Sequence, residues 1–153
     1  MAGHLKLWIR NYDDGTGELF VKVEAHGFAG VGHACFDLAE LSTKAEEFAR
    51  YPLSAEEPVC IKGGYWTADA KEMTEEHLYI SARAINLLGE IDLLVRLAEP
   101  HDGYPRTGLR CSVSVELQAS YEQMAQFSKD MSSLARGEIA EVVFSERSKE
   151  AQA

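Results

Sequence analysis

Apolar and polar residues alternate most strictly between residues 109 and 118, where the apolar side chains occupy every odd position. This period of two is typical of a strand with one buried face. The pattern changes at Ser120, because Gln123 follows at the spacing of a capping box and apolar residues then recur every three or four positions. We therefore predict a helix over 121–136 that ends in a left-handed cap at Gly137.

The start of the chain has the same alternation in three shorter segments, separated by turns that contain glycine: 4–10, 18–25 and 31–36. The first two predict a hairpin, and the third continues it as a meander. Asp37 and Glu40 then repeat the capping-box spacing, which predicts a first helix over 38–50 that ends before Pro52.

The periodicity weakens between residues 53 and 77. Within this region, 59–61 is typical of a short edge strand, 63–66 of a flexible aromatic turn, and 67–77 of a charged and mostly acidic loop. A long region without regular structure is either a binding loop or a variable surface excursion.

Alternation returns at 78–85 and 91–97, and the segment 139–144 either adds an edge strand or packs on the second helix. Hairpins interrupted by two amphipathic helices predict an α+β fold, with an antiparallel sheet of about six or seven strands and both helices on one face. We expect a single domain over 1–144 and a flexible tail over 145–153, because that tail lacks apolar anchors.

The chain of 153 residues carries 25 acidic and 15 basic side chains, a formal net charge of -10. This charge argues against nucleic-acid binding and suits either a basic protein partner or simple solubility. Cys35 and Cys111 fall within apolar strand patterns, so we expect reduced thiols in the core of a cytoplasmic protein. No signal peptide is expected, and no apolar run reaches the length that would cross a membrane.

The sequence contains no Walker-type phosphate loop, no nucleophile elbow and no histidine pair at helical ligand spacing. His26 and His33 flank one turn, but no cysteine or acid is placed to complete a metal site with them. Asp13 and Asp14 lack the spaced acids of a calcium loop. We expect no metal, no cofactor and no catalytic residue. An enzyme would need a cleft that joins a histidine to acids such as Glu72, Glu75, Glu76 or Asp102.

Two sets of residues are candidates for binding a partner. The first set lies on the face of the predicted sheet opposite the helices: Trp8, Phe20, Tyr79, Arg83, Arg96, Arg110 and Glu116. The second lies in the weakly periodic region: Tyr65, Trp66, Asp69, Glu72, Glu75 and Glu76. Aromatic and arginine side chains on a rigid platform are typical of interface hot spots. The same face could instead be a solvent-facing sheet stabilised by cross-strand pairs, or the surface of a homodimer.

The landmarks that carry a family resemblance span most of the chain: the hairpin strands 5–10 and 19–23, a helix with Leu38, Leu41 and Phe48, the strands 78–85 and 91–97, and the strand 111–117 that leads into the last helix. This order resembles the WapI-type immunity proteins of bacterial polymorphic-toxin systems, although the segment 59–77 departs from it. The resemblance implies a small, acidic, cytoplasmic and non-enzymatic protein that neutralises a cognate toxin by covering it.

We therefore expect a non-enzymatic binding domain, an immunity protein whose sheet face or 63–77 loop occludes a basic toxin domain. The alternative is an accessory domain that self-associates or binds a small ligand. An enzyme ranks third.

Overall fold

The computed structural model describes residues 2–146, which form two antiparallel sheets of four strands each and two α-helices. The strands are β1 (His4–Asn11), β2 (Thr16–Ala25), β3 (Phe28–Asp37), β4 (Val59–Trp66), β5 (Met73–Ala84), β6 (Glu90–Ala98), β7 (Ser112–Ser120) and β8 (Val142–Ser145). The helices are α1 (Leu38–Glu46), extended by a 3-10 turn at Glu47–Ala49, and α2 (Tyr121–Ala135). The first sheet has the order β3-β2-β1-β8 and the second the order β4-β5-β6-β7.

The α+β class and the two helices are confirmed, but the prediction of one sheet of six or seven strands is wrong. The prediction that both helices cover one sheet face is also wrong, since α1 contacts β3 and β4 while α2 contacts β7, β8 and β1. Each helix thus touches both sheets. Alternation reveals that a strand has one buried face, but it does not tell whether a helix or a second sheet covers that face.

The inner faces of both sheets and the buried sides of both helices form one hydrophobic core. The ring of Phe127 on α2 meets Phe48 edge-on at a centroid distance of 5.6 Å and Phe144 of β8 at 6.2 Å. The two helices are also joined by a buried hydrogen bond, in which the Ser128 hydroxyl donates to the carbonyl of Ala45 at 2.8 Å. The two helices, which connect strands of different sheets, therefore cover the core between the sheets.

The two sheets approach most closely where β3 runs across all four strands of the second sheet. A Cβ atom on Gly32 would lie 3.0 Å from the Cβ of Leu97 and 3.3 Å from the carbonyl oxygen of His77. A Cβ on Gly30 would lie 2.6 Å from a methyl group of Val113, and one on Gly63 would lie 2.6 Å from the Cβ of Ala34. The two sheets can therefore approach this closely only because glycine, which has no side chain, occupies these three positions.

Two cysteines are not where the sequence placed them. Cys35 and Cys111 are exposed, although both were expected in the core. Cys35 lies on the outer side of β3, because the inner side is formed by small residues such as Gly32 and Ala34. Leu109, which is 59% exposed, and Cys111 precede β7 instead of belonging to its buried face. Apolar residues are common on the exposed side of strands, so alternation alone can assign the wrong side to the core.

Much of the weakly periodic region is regular structure. The edge strand predicted at 59–61 is confirmed and extends to Trp66, so the predicted turn at 63–66 is wrong, and 73–77 belongs to β5 instead of a loop. The register between β4 and β5 shifts at Gly63/Gly64 and again at Tyr65/Trp66. Such bulges insert a residue and so break the period of two that alternation relies on.

The capping box is confirmed at α2, and its N-cap half is confirmed at α1. Asp37 accepts a hydrogen bond from the backbone N–H of Glu40 at 3.0 Å, and Ser120 and Gln123 form the reciprocal capping box. The segment predicted at 139–144 adds an edge strand, since β8 pairs with β1. Of the predicted tail, Ser145 belongs to β8 and residues 147–153 lie outside the described residues. No helix within 2–146 is long and apolar enough to cross a membrane.

We predict that Gly32→Val lowers the free energy of unfolding by about 1–3 kcal/mol, because the new methyl groups meet Leu97 and the backbone at the crossing. Urea denaturation measures this change. The control is Ala29→Val on the exposed side of the same strand, which should change the free energy by no more than about 0.5 kcal/mol. Equal midpoints for Gly32→Val and the parent protein would contradict the close crossing.

Candidate functional site

The structure divides the first candidate set between the two sheets, so the prediction of one continuous face is wrong. Trp8 and Phe20 lie on the outer side of the first sheet, Tyr79, Arg83, Arg96 and Glu116 lie on the outer side of the second, and Arg110 precedes β7. Because both sheets bury their inner faces in one core, their outer faces point away from each other. The two groups therefore belong to two different surfaces.

The outer side of the first sheet carries a row of rings that contact one another. Strand pairing places Trp8 opposite Phe20 and Phe20 opposite His33. The first two rings stack at a centroid distance of 5.5 Å, and the next pair lies at 5.3 Å. The ammonium group of Lys6 lies 5.6 Å from the Trp8 ring, and Glu18 contacts His33. This row is a set of cross-strand pairs that stabilises the sheet.

The outer side of the second sheet presents a fixed arginine. Strand pairing places Arg96 opposite Tyr79, and the guanidinium carbon lies 4.0 Å from the centre of the tyrosine ring. Two guanidinium nitrogens of Arg96 donate to the two carboxylate oxygens of Glu76, both at 3.1 Å. The side chain of Arg96 stays 43% exposed. Stacking and a bidentate ion pair thus orient an accessible cation before any partner arrives.

Four residues before this arginine on β6, the same face holds a buried carboxylate. Asp92 is only 5% exposed, and its Oδ2 accepts a hydrogen bond from Nε of Arg83 at 3.1 Å. Within residues 2–146, the other oxygen of this carboxylate, Oδ1, has no hydrogen-bond donor. The carboxyl of Glu116 lies within hydrogen-bonding reach of Asp92, and that contact together with the charge of Asp92 raises the pKa of Glu116. A proton held between the two carboxyl groups would satisfy Oδ1.

A cavity of about 520 Å³ opens beside this pair. Besides Asp92 and Glu116, its polar lining consists of Arg83, Glu90, Gln118 and Glu146. Glu146 follows β8 and reaches the cavity because its carboxylate accepts the backbone N–H groups of Gly3 and Gln118, both at 2.9 Å. Four carboxyl groups and one guanidinium therefore give the lining an excess of negative charge.

Sequence reasoning did not select Asp92, Glu90 or Glu146 as site residues. A signal existed for Asp92, because it is the one polar residue within the run 91–95. An acid in a strand that is otherwise apolar must find a partner when it is buried. Glu146 carried no signal, since only the pairing of β8 with β1 brings it near Gln118.

The second candidate set is spread over three places. Glu75 and Glu76 lie on β5, Tyr65 and Trp66 end β4, and Asp69 and Glu72 stay in the intervening turn. In that turn, Asp69 accepts hydrogen bonds from the Thr67 hydroxyl and the Lys71 N–H. Only Glu76 joins the face that carries Arg96.

A network around Glu75 combines acids with histidines, as an enzyme would require. Glu75 accepts hydrogen bonds from the backbone N–H of His101 at 2.8 Å and from Nε2 of His77 at 2.9 Å, which lower its pKa. The ring of Tyr65 packs edge-on against that of His77, and its hydroxyl donates to Asp102 at 2.9 Å. These contacts tie the loop after β6 to β4 and β5. The network therefore has a structural role that accounts for each of its groups.

A larger cavity of about 940 Å³ lies between α1, β3 and β4. Its lining is mostly apolar and includes Phe36, Leu41, Ile61 and Trp66, with Cys35 and Cys60 at its sides. Trp66 is 41% exposed, so the indole is open to solvent at this cavity. The cavity has the size and apolar character of a small-molecule site.

The two histidines at the first turns are not paired. His33 contacts Glu18 and His26 contacts Glu146, so each ring has its own carboxylate. Within residues 2–146, no group of three or more histidine, cysteine, aspartate or glutamate side chains is arranged to hold a metal ion.

No family model, curated protein or solved structure matches the chain. The resemblance to WapI-type immunity proteins therefore stays a prediction. What bears on function is the chemistry of the two outer sheet faces and the two cavities.

We predict that Glu116→Gln stabilises the protein at about pH 8 by about 0.2–1 kcal/mol, the range for charge pairs open to solvent. The raised pKa of Glu116 means that its protonated form stabilises the fold below the usual value of 4.5. That contribution is lost as the pH rises through the raised pKa, because two ionised carboxylates then repel each other. Glutamine carries no charge and avoids the loss.

Thermal melts at about pH 8 and about pH 4 measure this effect, and the gain should shrink at the lower pH. The control is Glu24→Gln on the exposed side of β2, which removes a carboxylate far from Asp92 and should not reproduce the gain at about pH 8. A Glu116→Gln gain that does not depend on pH would rule out the interaction with Asp92.

Proposed function

We propose that this protein is a non-enzymatic binding protein that covers a basic protein partner with the outer face of its second sheet. The observation that carries the proposal is the combination on that face of an oriented arginine on a tyrosine with a buried acidic pair beside a cavity. Tyrosine and arginine dominate interface hot spots, and rigid side chains lose little entropy on binding.

Rigidity supports this face as an interface. Arg96 and Tyr79 lie opposite each other on the two central strands of the sheet, so the backbone that carries them is held by neighbours on both sides. Glu76 fixes the guanidinium through two hydrogen bonds. A partner therefore meets a surface that needs little rearrangement.

Charge supports a basic partner. The chain has a formal net charge of -10, and the cavity beside Asp92 is lined by four carboxyl groups. Long-range attraction of this kind speeds association and rejects acidic partners, and salt weakens it. On the first sheet, by contrast, Lys6 and Lys22 lie opposite each other beside rings that already contact one another.

The resemblance to WapI-type immunity proteins suggests a toxin domain as the partner. We propose on that basis a cytoplasmic immunity protein that binds its toxin directly and needs no cofactor. An acidic face that covers a basic toxin domain would neutralise it by occlusion.

A second function is favoured by the cavity of about 940 Å³ between α1, β3 and β4. A largely apolar lining suits a small apolar ligand, and Trp66 at the cavity would report its arrival through fluorescence. A homodimer through an outer sheet face is a further form of the accessory-domain alternative.

We predict that Arg96→Ala and Tyr79→Ala each weaken partner binding about tenfold or more, because both truncations remove the oriented platform. The matched control is Trp8→Ala, which removes an aromatic side chain from the opposite face and should leave binding unchanged. Circular dichroism confirms that each variant is folded.

The partner is first captured from a lysate of the native host on the immobilised protein, at low and then high salt, and identified by mass spectrometry. Recovery of a basic secreted protein through its C-terminal region, released by salt, supports the proposal. Recovery of the protein alone favours self-association, and loss of capture only with Trp8→Ala would move the interface to the first sheet.

A further inference from the structure

The oxygen of Asp92 without a donor is the most unusual polar group on the outer face of the second sheet. Asp92 is 5% exposed, and Arg83 serves only its Oδ2. Within residues 2–146, no group donates a hydrogen bond to Oδ1. A buried carboxylate oxygen without a hydrogen-bond donor is energetically unfavourable, so a ligand that supplies a donor here would be stabilised.

The neighbouring acids are mostly engaged elsewhere. Glu90 accepts a hydrogen bond from the Asn86 amide at 2.7 Å, and Glu146 accepts the N–H groups of Gly3 and Gln118. Within residues 2–146, Asp92 Oδ1 is the buried side-chain oxygen that has no donor, and the Glu116 carboxyl lines the same cavity. The two lie on adjacent strands, β6 and β7, within reach of one another.

The chemistry of the cavity points to an organic cation. Residues 2–146 contain no group of three or more ligands arranged for a metal ion, and a volume of about 520 Å³ admits a whole side chain. A guanidinium or an ammonium group brings several N–H donors, which match two acceptors that lie close together. The excess of carboxyl groups around the opening would attract it.

We propose that the Asp92–Glu116 cavity receives one cationic side chain of the protein partner, an arginine or a lysine, whose N–H groups bond Asp92 Oδ1 and the Glu116 carboxylate. This inference rests on the proposed function and names the anchor of that interface. Arg83 keeps its contact with Oδ2 and so leaves Oδ1 for the ligand.

Binding is linked to one proton. Below the raised pKa of Glu116, its protonated carboxyl donates to Asp92 Oδ1, and a cation that enters displaces that proton to solvent as the O–H bond breaks. Above that pKa both carboxyl groups are ionised and Oδ1 has no donor. The charged groups that face the pair are Arg83 from β5, Glu90 from β6 and Glu146 after β8, with His26 against Glu146. Since the cation and the proton compete for the same oxygens, affinity should rise with pH.

Amide correlation NMR of the full chain tests the cavity without the partner. The probes are N-acetyl-arginine amide and N-acetyl-lysine amide, and the neutral control is N-acetyl-citrulline amide, which matches arginine in shape. At least one cationic probe should give saturable shifts around Arg83, Asp92 and Glu116. Because the pKa of Glu116 is raised from 4.5, this probe should bind more tightly at about pH 8 than at about pH 4. The probe that binds better identifies the cation.

Variants locate the effect. Glu116→Gln, which keeps the shape of the side chain, should weaken the better probe roughly tenfold and remove the pH dependence. Glu24→Gln on the exposed side of the first sheet should not change its affinity.

Three results would overturn the proposal: citrulline binding as well as arginine, shifts that spread over the acidic surface without saturating, or equal affinity for Glu116→Gln. The titration needs no partner, so a negative titration would refute the cavity proposal without refuting the proposed interface at Arg96. A negative capture experiment would refute the proposed interface, and the titration would still test whether the cavity binds a cation.

Discussion

The crossing of β3 over the second sheet is the contact on which the rest of the structure depends. Gly30, Gly32 and Gly63 lie where the strands meet, and none of them has room for a larger side chain. Their small size lets two sheets of four strands share one core that the helices then close. The same crossing turns the outer faces away from each other, so the aromatic row at Trp8 and the platform at Arg96 become separate surfaces.

Local structure was predictable wherever the cause is local. Ser120 with Gln123 and Asp37 with Glu40 fixed the helix starts through hydrogen bonds between near neighbours. The division into two sheets was not predictable, because alternation is the same whether a helix or a sheet covers the buried face. The inner side of β3 is formed partly by glycines, which carry no apolar signal, so Cys35 was predicted to be buried instead. The bulges in β4 interrupt its alternation, so most of that strand was not predicted.

The candidate site was predictable in composition but not in geometry. Tyr79, Arg83, Arg96 and Glu116 share one face as expected, since they follow the period of antiparallel strands. Their division from Trp8 and Phe20 depends on the sheet crossing. The acidic cavity depends on long-range packing, because Glu146 lies 28 positions after Gln118 and reaches it only through β8.

These features describe a rigid face on which two arginines, Arg83 and Arg96, are held by carboxylates, beside a cavity lined by four carboxyl groups. The measurement that tests this account most directly is hydroxyl-radical footprinting of the protein, alone and with its captured partner, read by mass spectrometry. Tyr79 and Trp8 are both partly exposed aromatic residues, on opposite faces, so each reports on its own sheet. The account predicts that the partner slows oxidation of Tyr79 and leaves Trp8 unchanged. Protection of Trp8 with full reactivity at Tyr79 would contradict it.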